Sequence, residues 1–234
     1  MQRSKSSKCC VEWMDPLWPS SGLWIGWVIG IKKTLHASEQ EREDVKLHRE
    51  QWLEELSSLD PSHLVFIDES GAKTNMTRLR GRAMRGQRLF ALAPHGHWCT
   101  TTMISSVRLD GTTAAMEIEG ASDSIVFREY VRRILAPTLS PEDIVVMDNL
   151  RTHYDPEAIS LIEARGARVK FLPPYSPDFN PIEKMWSKIK NRLRGLAART
   201  QQELSEAITQ AFQAVTPEDV EGWFFSCYIT ASQS

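Results

Sequence analysis

The chain has 234 residues, 41% of them hydrophobic and 25% charged, with 28 Lys and Arg against 30 Asp and Glu for a formal net charge of −2. That composition supports a core of ordinary size and excludes a disordered or fibrous protein, and the near balance of charge argues against a uniformly basic nucleic-acid binder. Cys9, Cys10, Cys99 and Cys227 make neither a disulfide framework nor a zinc spacing, and no apolar run reaches the ~20 residues of a membrane helix. A reducing cytoplasm and no membrane partner are the expectation.

Residues 1–31 differ from the rest: Trp13, Trp18, Trp24 and Trp27 are half of the eight tryptophans, and no helix or strand period runs through them. Leu23 to Ile31 is apolar and follows Arg3, Lys5 and Lys8, but without the small-residue cleavage site of a signal peptide. From Ser38 to Leu56 the pattern is helical, with Ser38 as N-cap, acids in the first turn and Val45, Trp52 and Leu56 as sparse apolar positions. Leu64-Val65-Phe66-Ile67 then reads as a buried strand that ends on Asp68-Glu69 and a Ser-Gly turn.

From Ser70 to Leu109 there is no Asp or Glu, while Lys73, Arg78, Arg80, Arg82, Arg85, Arg88 and Arg108 supply positive charge. Thr100–Leu109 and Thr113–Ile118 form a hairpin through Asp110-Gly111. A helix over about Ser124–Leu135 ends before Pro137, and Ile144-Val145-Val146-Met147 is a second buried strand, ending on Asp148. A helix over Pro156–Arg165 stops at Gly166, and a short strand Val169–Leu172 runs into Pro173-Pro174-Tyr175-Ser176-Pro177. Three helices follow, over Pro181–Leu196, Gln201–Val215 and Pro217–Ile229, so the class is α/β with a mixed sheet.

Two buried strands that deliver carboxylates, Asp68 and Asp148, suggest a cation shared at the mouth of the sheet. The third acid has the grammar of a helix start: Asn180 at the N-cap, Pro181 at N1 and Glu183 at N3, directly after a proline-stiffened loop. Each acid alone reads more readily as a turn residue or as half of a capping arrangement than as a ligand. Three acids at the ends of elements feeding one sheet are what two hard cations about 4 Å apart require, and such a pair attacks a phosphodiester in line with no protein nucleophile. The six histidines offer no Ser-His-Asp or Cys-His set.

Three segments, LVFIDESGAKTNMTRLRGRAMRGQR, DIVVMDNLRTH and FLPPYSPDFNPIEKMWSKIK, occur in that order, and they resemble the DDE transposases of bacterial insertion sequences in the mariner-like superfamily. The resemblance covers roughly residues 32–230 and implies a ribonuclease-H-like mixed sheet flanked by helices. It also implies metal-binding catalytic acids at Asp68, Asp148 and Glu183, two Mg²⁺ or Mn²⁺ ions, and DNA partners, both element ends and target. The last two acids lie 35 positions apart (183 − 148), a spacing similar to that of the superfamily. A homodimer or higher assembly on DNA and a nucleoid-associated location follow from the same resemblance.

Glu69, next to Asp68 on a strand, points to the opposite face and is structural or contacts DNA. For Asn149 and His153, beside the second acid, the resemblance implies local support or a DNA contact, while turn hydrogen bonding by Asn149 and a solvated His153 read equally well; Tyr175 and Trp186 read as packing residues rather than base stackers. Arg78, Arg80, Arg82, Arg85 and Arg88 are candidate phosphate contacts, because guanidinium groups bind phosphate bidentately and no acids are interspersed. Lys184 and Lys188, after the third acid, are further candidates.

The domain layout expected is an atypical extension over 1–31, a helical lead-in over 32–60 and the catalytic domain over 61–234. Family members resemble two-part proteins with N-terminal helix-turn-helix domains, and nothing in 1–31 looks like one. Back-translating Trp24–Lys33 one base earlier permits LDRLGYRHKK, a basic join to a recognition domain. The chain is therefore read as entering the transposase frame near Lys32-Lys33, either as the second reading frame of a frameshifting element or as a miscalled gene, with an upstream recognition-domain polypeptide as a candidate partner. An in-frame stop in the shifted upstream frame would sink that idea. Two rivals remain from sequence: a ribonuclease-H-like nuclease that cuts without joining strands, and a non-catalytic DNA-binding or regulatory fragment.

Overall fold

A computed structural model describes residues 37–231 other than 79, 82, 85 and 91, with backbone only for 228–231. The atypical extension, its proposed frame change, and Arg82 and Arg85 lie outside the described residues. Among the described residues, five strands form one sheet: β1 (Leu64–Lys73), β2 (Thr100–Arg108), β3 (Thr113–Glu119), β4 (Ile144–Met147) and β5 (Arg168–Phe171). Their spatial order is β3-β2-β1-β4-β5, with the β1–β2 and β2–β3 pairs antiparallel and the β1–β4 and β4–β5 pairs parallel. The hairpin turns where expected, with Gly111 at φ +84° and the Thr112 amide donating to Asp110 Oδ1 at 2.8 Å.

Among the described residues, six α-helices flank the sheet: α1 (Glu43–Ser57), α2 (Ser124–Tyr130), α3 (Pro156–Glu163), α4 (Pro181–Leu196), α5 (Gln201–Gln213) and α6 (Pro217–Ala231). The alternation of strand residues decides which helices cover which face. Leu64, Phe66, Ile144 and Val146 pack in one core with Trp52 and Leu56 of α1, Ile182, Met185 and Ile189 of α4, Leu204 and Ile208 of α5, and Phe224 of α6. Val65, Ile67, Val145 and Met147 point the other way and pack with Phe127 and Tyr130 of α2 and Ala158 and Ile162 of α3. The result is a mixed sheet between two helical layers, the ribonuclease-H-like arrangement.

Two local expectations are corrected. Strand β1 does not stop at Asp68 but continues through Ser70 and Gly71 to Lys73, because β2 pairs with it along the whole length from Val65↔Arg108 to Lys73↔Thr100. The Ser-Gly pair is strand, not turn. The lead-in helix breaks at Arg42, whose backbone is extended (φ −70°, ψ 136°); Ser38–Glu41 form a separate 3-10 turn, and Ser38 caps nothing. The chain there serves the Gln40 side chain, which reaches across to the Tyr175 carbonyl at 2.6 Å.

Helix α5 starts with a reciprocal capping box: the Glu203 amide donates to Thr200 Oγ1 at 3.1 Å, and Glu203 Oε2 accepts from the Thr200 amide at 3.2 Å. Thr200→Ala is expected to cost about 1 kcal/mol. Urea unfolding with an unchanged midpoint would rule out a structural role for that cap.

Candidate active site

The parallel register places the first two acids. Phe66 faces Val146 across the β1–β4 pair, and two residues further along the chain from each stand Asp68 and Asp148. β4 ends at Met147 while β1 runs on, so Asp68 is held inside a strand and Asp148 starts the loop beyond one. Asp68 shares its parity with Leu64 and Phe66 and therefore faces the α4 layer. The third acid arrives from that layer: Glu183 is in the first turn of α4, and it lines a cleft of about 440 Å³ together with Asp148, Asn149, Leu150, Tyr175 and Asn180.

Mutual repulsion marks the three carboxylates as one group. Burial, then the charge of Glu183 and to a lesser degree that of Asp148, pushes the Asp68 carboxyl up to about 7, against the pull of the Glu69 amide and His153. Burial also raises Glu183, with Asp148 adding repulsion and Lys190 opposing it. Asp148 is the exception: burial pushes its carboxyl up, but His153, the Leu150 amide and the imidazole's charge outweigh that and hold it below the usual range. His153 Nδ1 lies 2.7 Å from Asp148 Oδ1 and the Leu150 amide donates to the same oxygen at 2.9 Å.

The donor set fits a divalent cation of the Mg²⁺ class. All three ligands would be hard carboxylate oxygens, few enough to leave positions for waters and phosphate oxygens. Among the described residues, no Lys or Arg forms an ion pair with any of the three; His153 contacts Asp148, and Lys190 acts on Glu183 only through its charge. Among those residues, no group of three or more His, Cys, Asp or Glu side chains is gathered closely enough, as the side chains stand, to hold a metal ion.

Residues around the acids divide by what their polar atoms do. His153 is fully buried, its ring 4.6 Å from that of Phe127, which leaves support of Asp148 as the role its surroundings allow. Asn149 braces the ends of β4 and β5, donating to the Leu172 carbonyl at 2.7 Å and accepting from the Tyr154 hydroxyl at 2.6 Å. Glu69 faces away from α4, as strand alternation requires, and accepts from Ser122 Oγ at 3.0 Å. Lys188 is paired with Asp219 and Lys184 donates to Ser226, so both cations are engaged between α4 and α6. Arg78, Arg80 and Arg88 are exposed on the β1–β2 connection.

Two contributions escaped the sequence reading. Trp186, read as packing, also donates its indole N–H to Asp68 Oδ2 at 3.1 Å. Its position three residues after Glu183 puts both on one face of α4, the one sequence signal that could have found it. Asn180 stands at the N-cap position of α4 but makes no cap bond; its Oδ1 is buried without a partner beside the cleft.

A family model described as DDE superfamily endonuclease matches residues 63–205. No protein of curated function matches the chain. Among solved structures, the chain is similar to the Mos1 transposase paired-end complex with left transposon end, at 15% identity and a TM-score of 0.66, over 89% of this chain and 66% of that one. The mariner Mos1 paired-end complex with Mg gives 15% identity and 0.68 over the same shares, 89% and 66%. The catalytic domain of Mos1 mariner transposase gives 13% and 0.60, over 87% of this chain and 95% of that one. The chain thus spans just under two thirds of the paired-end chains and nearly all of the isolated catalytic domain. Identities this low speak for the shared fold, whereas the family match extends over more than half of the sequence and contains Asp68, Asp148 and Glu183: the chain belongs to the DDE superfamily endonucleases.

Proposed function

We propose that this chain is the catalytic domain of a mariner-like DNA transposase encoded by a bacterial insertion sequence, and that Asp68, Asp148 and Glu183 hold two Mg²⁺ or Mn²⁺ ions for cleavage and strand transfer at the element's ends. The observation that carries this reading is the convergence of three mutually repelling carboxylates at one sheet mouth with no Lys or Arg ion pair among the described residues. Bound there, the ions would activate a water or 3'-hydroxyl and stabilise the departing oxygen.

The chain's own residues supply rigidity and charge. His153 orients the Asp148 carboxylate through Oδ1 and the Trp186 indole holds Asp68 through Oδ2, so both carboxylates would be presented in a fixed orientation to a bound cation. The exposed Arg78, Arg80 and Arg88, with Arg82 and Arg85 of the same connection, bind phosphates without regard to sequence. Selection of the ends therefore belongs to an upstream recognition polypeptide, and the working form is a dimer or larger assembly on DNA in the nucleoid. The catalytic domain occupies 61–234, with 32–60 as its lead-in.

Incubation with element-end DNA and target DNA tests this directly. Nicking that requires Mg²⁺ or Mn²⁺, followed by joined products from a pre-cleaved end, is the expected result. Nicking without joining would replace the transposase reading with that of a nuclease, and no divalent-dependent cleavage of either substrate would leave a non-catalytic fragment.

A further inference from the structure

Glu183 depends for its position on the loop that precedes α4, and that loop has little backbone order of its own. Pro173, Pro174 and Pro177 have no N–H to donate. Tyr175 sits in the left-handed region at φ 55°, which costs a residue with a Cβ about 1 kcal/mol or more. The loop's own backbone bonds are short turns, Phe179 N–H to the Ser176 carbonyl at 3.2 Å and Asn180 N–H to the Pro177 carbonyl at 3.1 Å. Something outside the loop has to hold it.

One side chain on α1 grips it at three residues. Arg49 donates from Nη1 to Ser176 Oγ at 2.8 Å and to Asp178 Oδ1 at 3.0 Å, and from Nη2 to Asp178 Oδ2 at 2.7 Å. Its guanidinium carbon also lies 4.1 Å from the centre of the Phe179 ring. The arginine side chain is only 15% exposed, so the fork is worth more than a surface ion pair. Ser176 Oγ passes the constraint on by donating to the Pro174 carbonyl at 3.0 Å, and Gln40 adds a bond to the Tyr175 carbonyl. Asp178 is five positions before Glu183 (183 − 178), and Phe179 is buried in the core with Ile182 and Met185.

We propose that Arg49 is a positioning residue for Glu183, holding the proline loop from α1 in the arrangement that delivers the third carboxylate to the mouth shared with Asp68 and Asp148. The inference rests on Glu183 being a cation ligand. Lysine can replace the arginine only in part here, because it keeps the charge but has neither the fork that engages both Asp178 oxygens nor the plane that stacks on Phe179.

Mn²⁺ binding to the full chain without DNA, followed by electron paramagnetic resonance of the free ion, tests this apart from turnover. Arg49→Gln is expected to weaken binding about tenfold, the low end for a residue acting through a ligand's support, and Arg49→Lys to fall between it and the wild type. Thr200→Ala, which removes about 1 kcal/mol of stability at a distant cap, is expected to leave Mn²⁺ affinity unchanged. Should Glu183→Ala weaken binding while both Arg49 variants bind as the wild type does, the clamp is overturned and the metal assignment stands. Unchanged binding in Glu183→Ala overturns the metal assignment and the clamp with it. A loss in Thr200→Ala equal to that in Arg49→Gln reduces the effect to general stability and overturns the proposal.

Discussion

Asp148→Ala is expected to lower divalent-dependent nicking of element-end DNA by about 10³-fold or more, since the charge stabilisation lost with a metal ligand is several kcal/mol and each 1.36 kcal/mol is tenfold in rate. Asp148 is the acid on which the effect should be largest. Among the three it alone is held below the usual carboxylate range, after burial is outweighed by His153 and the Leu150 amide, so it stays charged and ready for a cation. The alanine variant also strips His153 Nδ1 of its carboxylate partner in a fully buried site, a stability cost of about 1–3 kcal/mol. Rates therefore have to be compared at a temperature where circular dichroism shows both proteins folded, with Asp148→Asn as the shape-preserving companion. Retention of more than about a tenth of the wild-type rate in both variants would remove Asp148 from the chemistry.

Asp68→Asn is expected to do the reverse for stability: to raise that of the metal-free protein by about 2 kcal/mol at pH 8, with little effect near pH 4. Burial, with the charges of Glu183 and Asp148, holds the Asp68 carboxyl at about 7 in the folded chain, whereas an unfolded aspartate titrates near pH 4. Between those limits the folded state binds more protons than the unfolded state, so stability falls as pH rises through the window, and the full penalty is present above it. Unscreened linkage would give about 4 kcal/mol, and water in the open mouth reduces it to about half. Asparagine carries no charge and still offers an oxygen to the Trp186 indole. Denaturant titrations in a chelator at both pH values measure the difference. Adding Mg²⁺ at pH 8 should then stabilise the wild type and leave the variant nearly unmoved. An equal effect of the substitution at both pH values would mean that Asp68 is not strained by its neighbours.

Much of the fold was legible because its signals are local. The apolar runs before Asp68 and Asp148, the Asp110-Gly111 turn and the Asn180-Pro181-Ile182-Glu183 helix start each depend on a few adjacent residues, and all four elements are present, although Asn180 makes no cap bond and β1 runs on past its expected end. Legibility failed where a partner distant in sequence decides. β1 was expected to end at Ser70-Gly71, but pairing with β2 carries it to Lys73. His153 could have been an exposed DNA contact, and only the packing of Phe127 against it makes it a buried support.

The sequence by itself determined which acids this protein brings to its sheet and in what order. The residue types, the alternation of two buried strands and the proline-stiffened helix start are written within a few positions of Asp68, Asp148 and Glu183. The tertiary structure alone decided how those acids are held: a parallel register that sets Asp68 beside Asp148, an indole 118 positions away bonded to Asp68, and an arginine 129 positions before Asp178 gripping the loop before Glu183. The physical reason is range. Propensity and periodicity are properties of neighbouring residues, whereas the position of a carboxylate to within a bond length depends on side chains that meet only after the sheet and its two helical layers have closed.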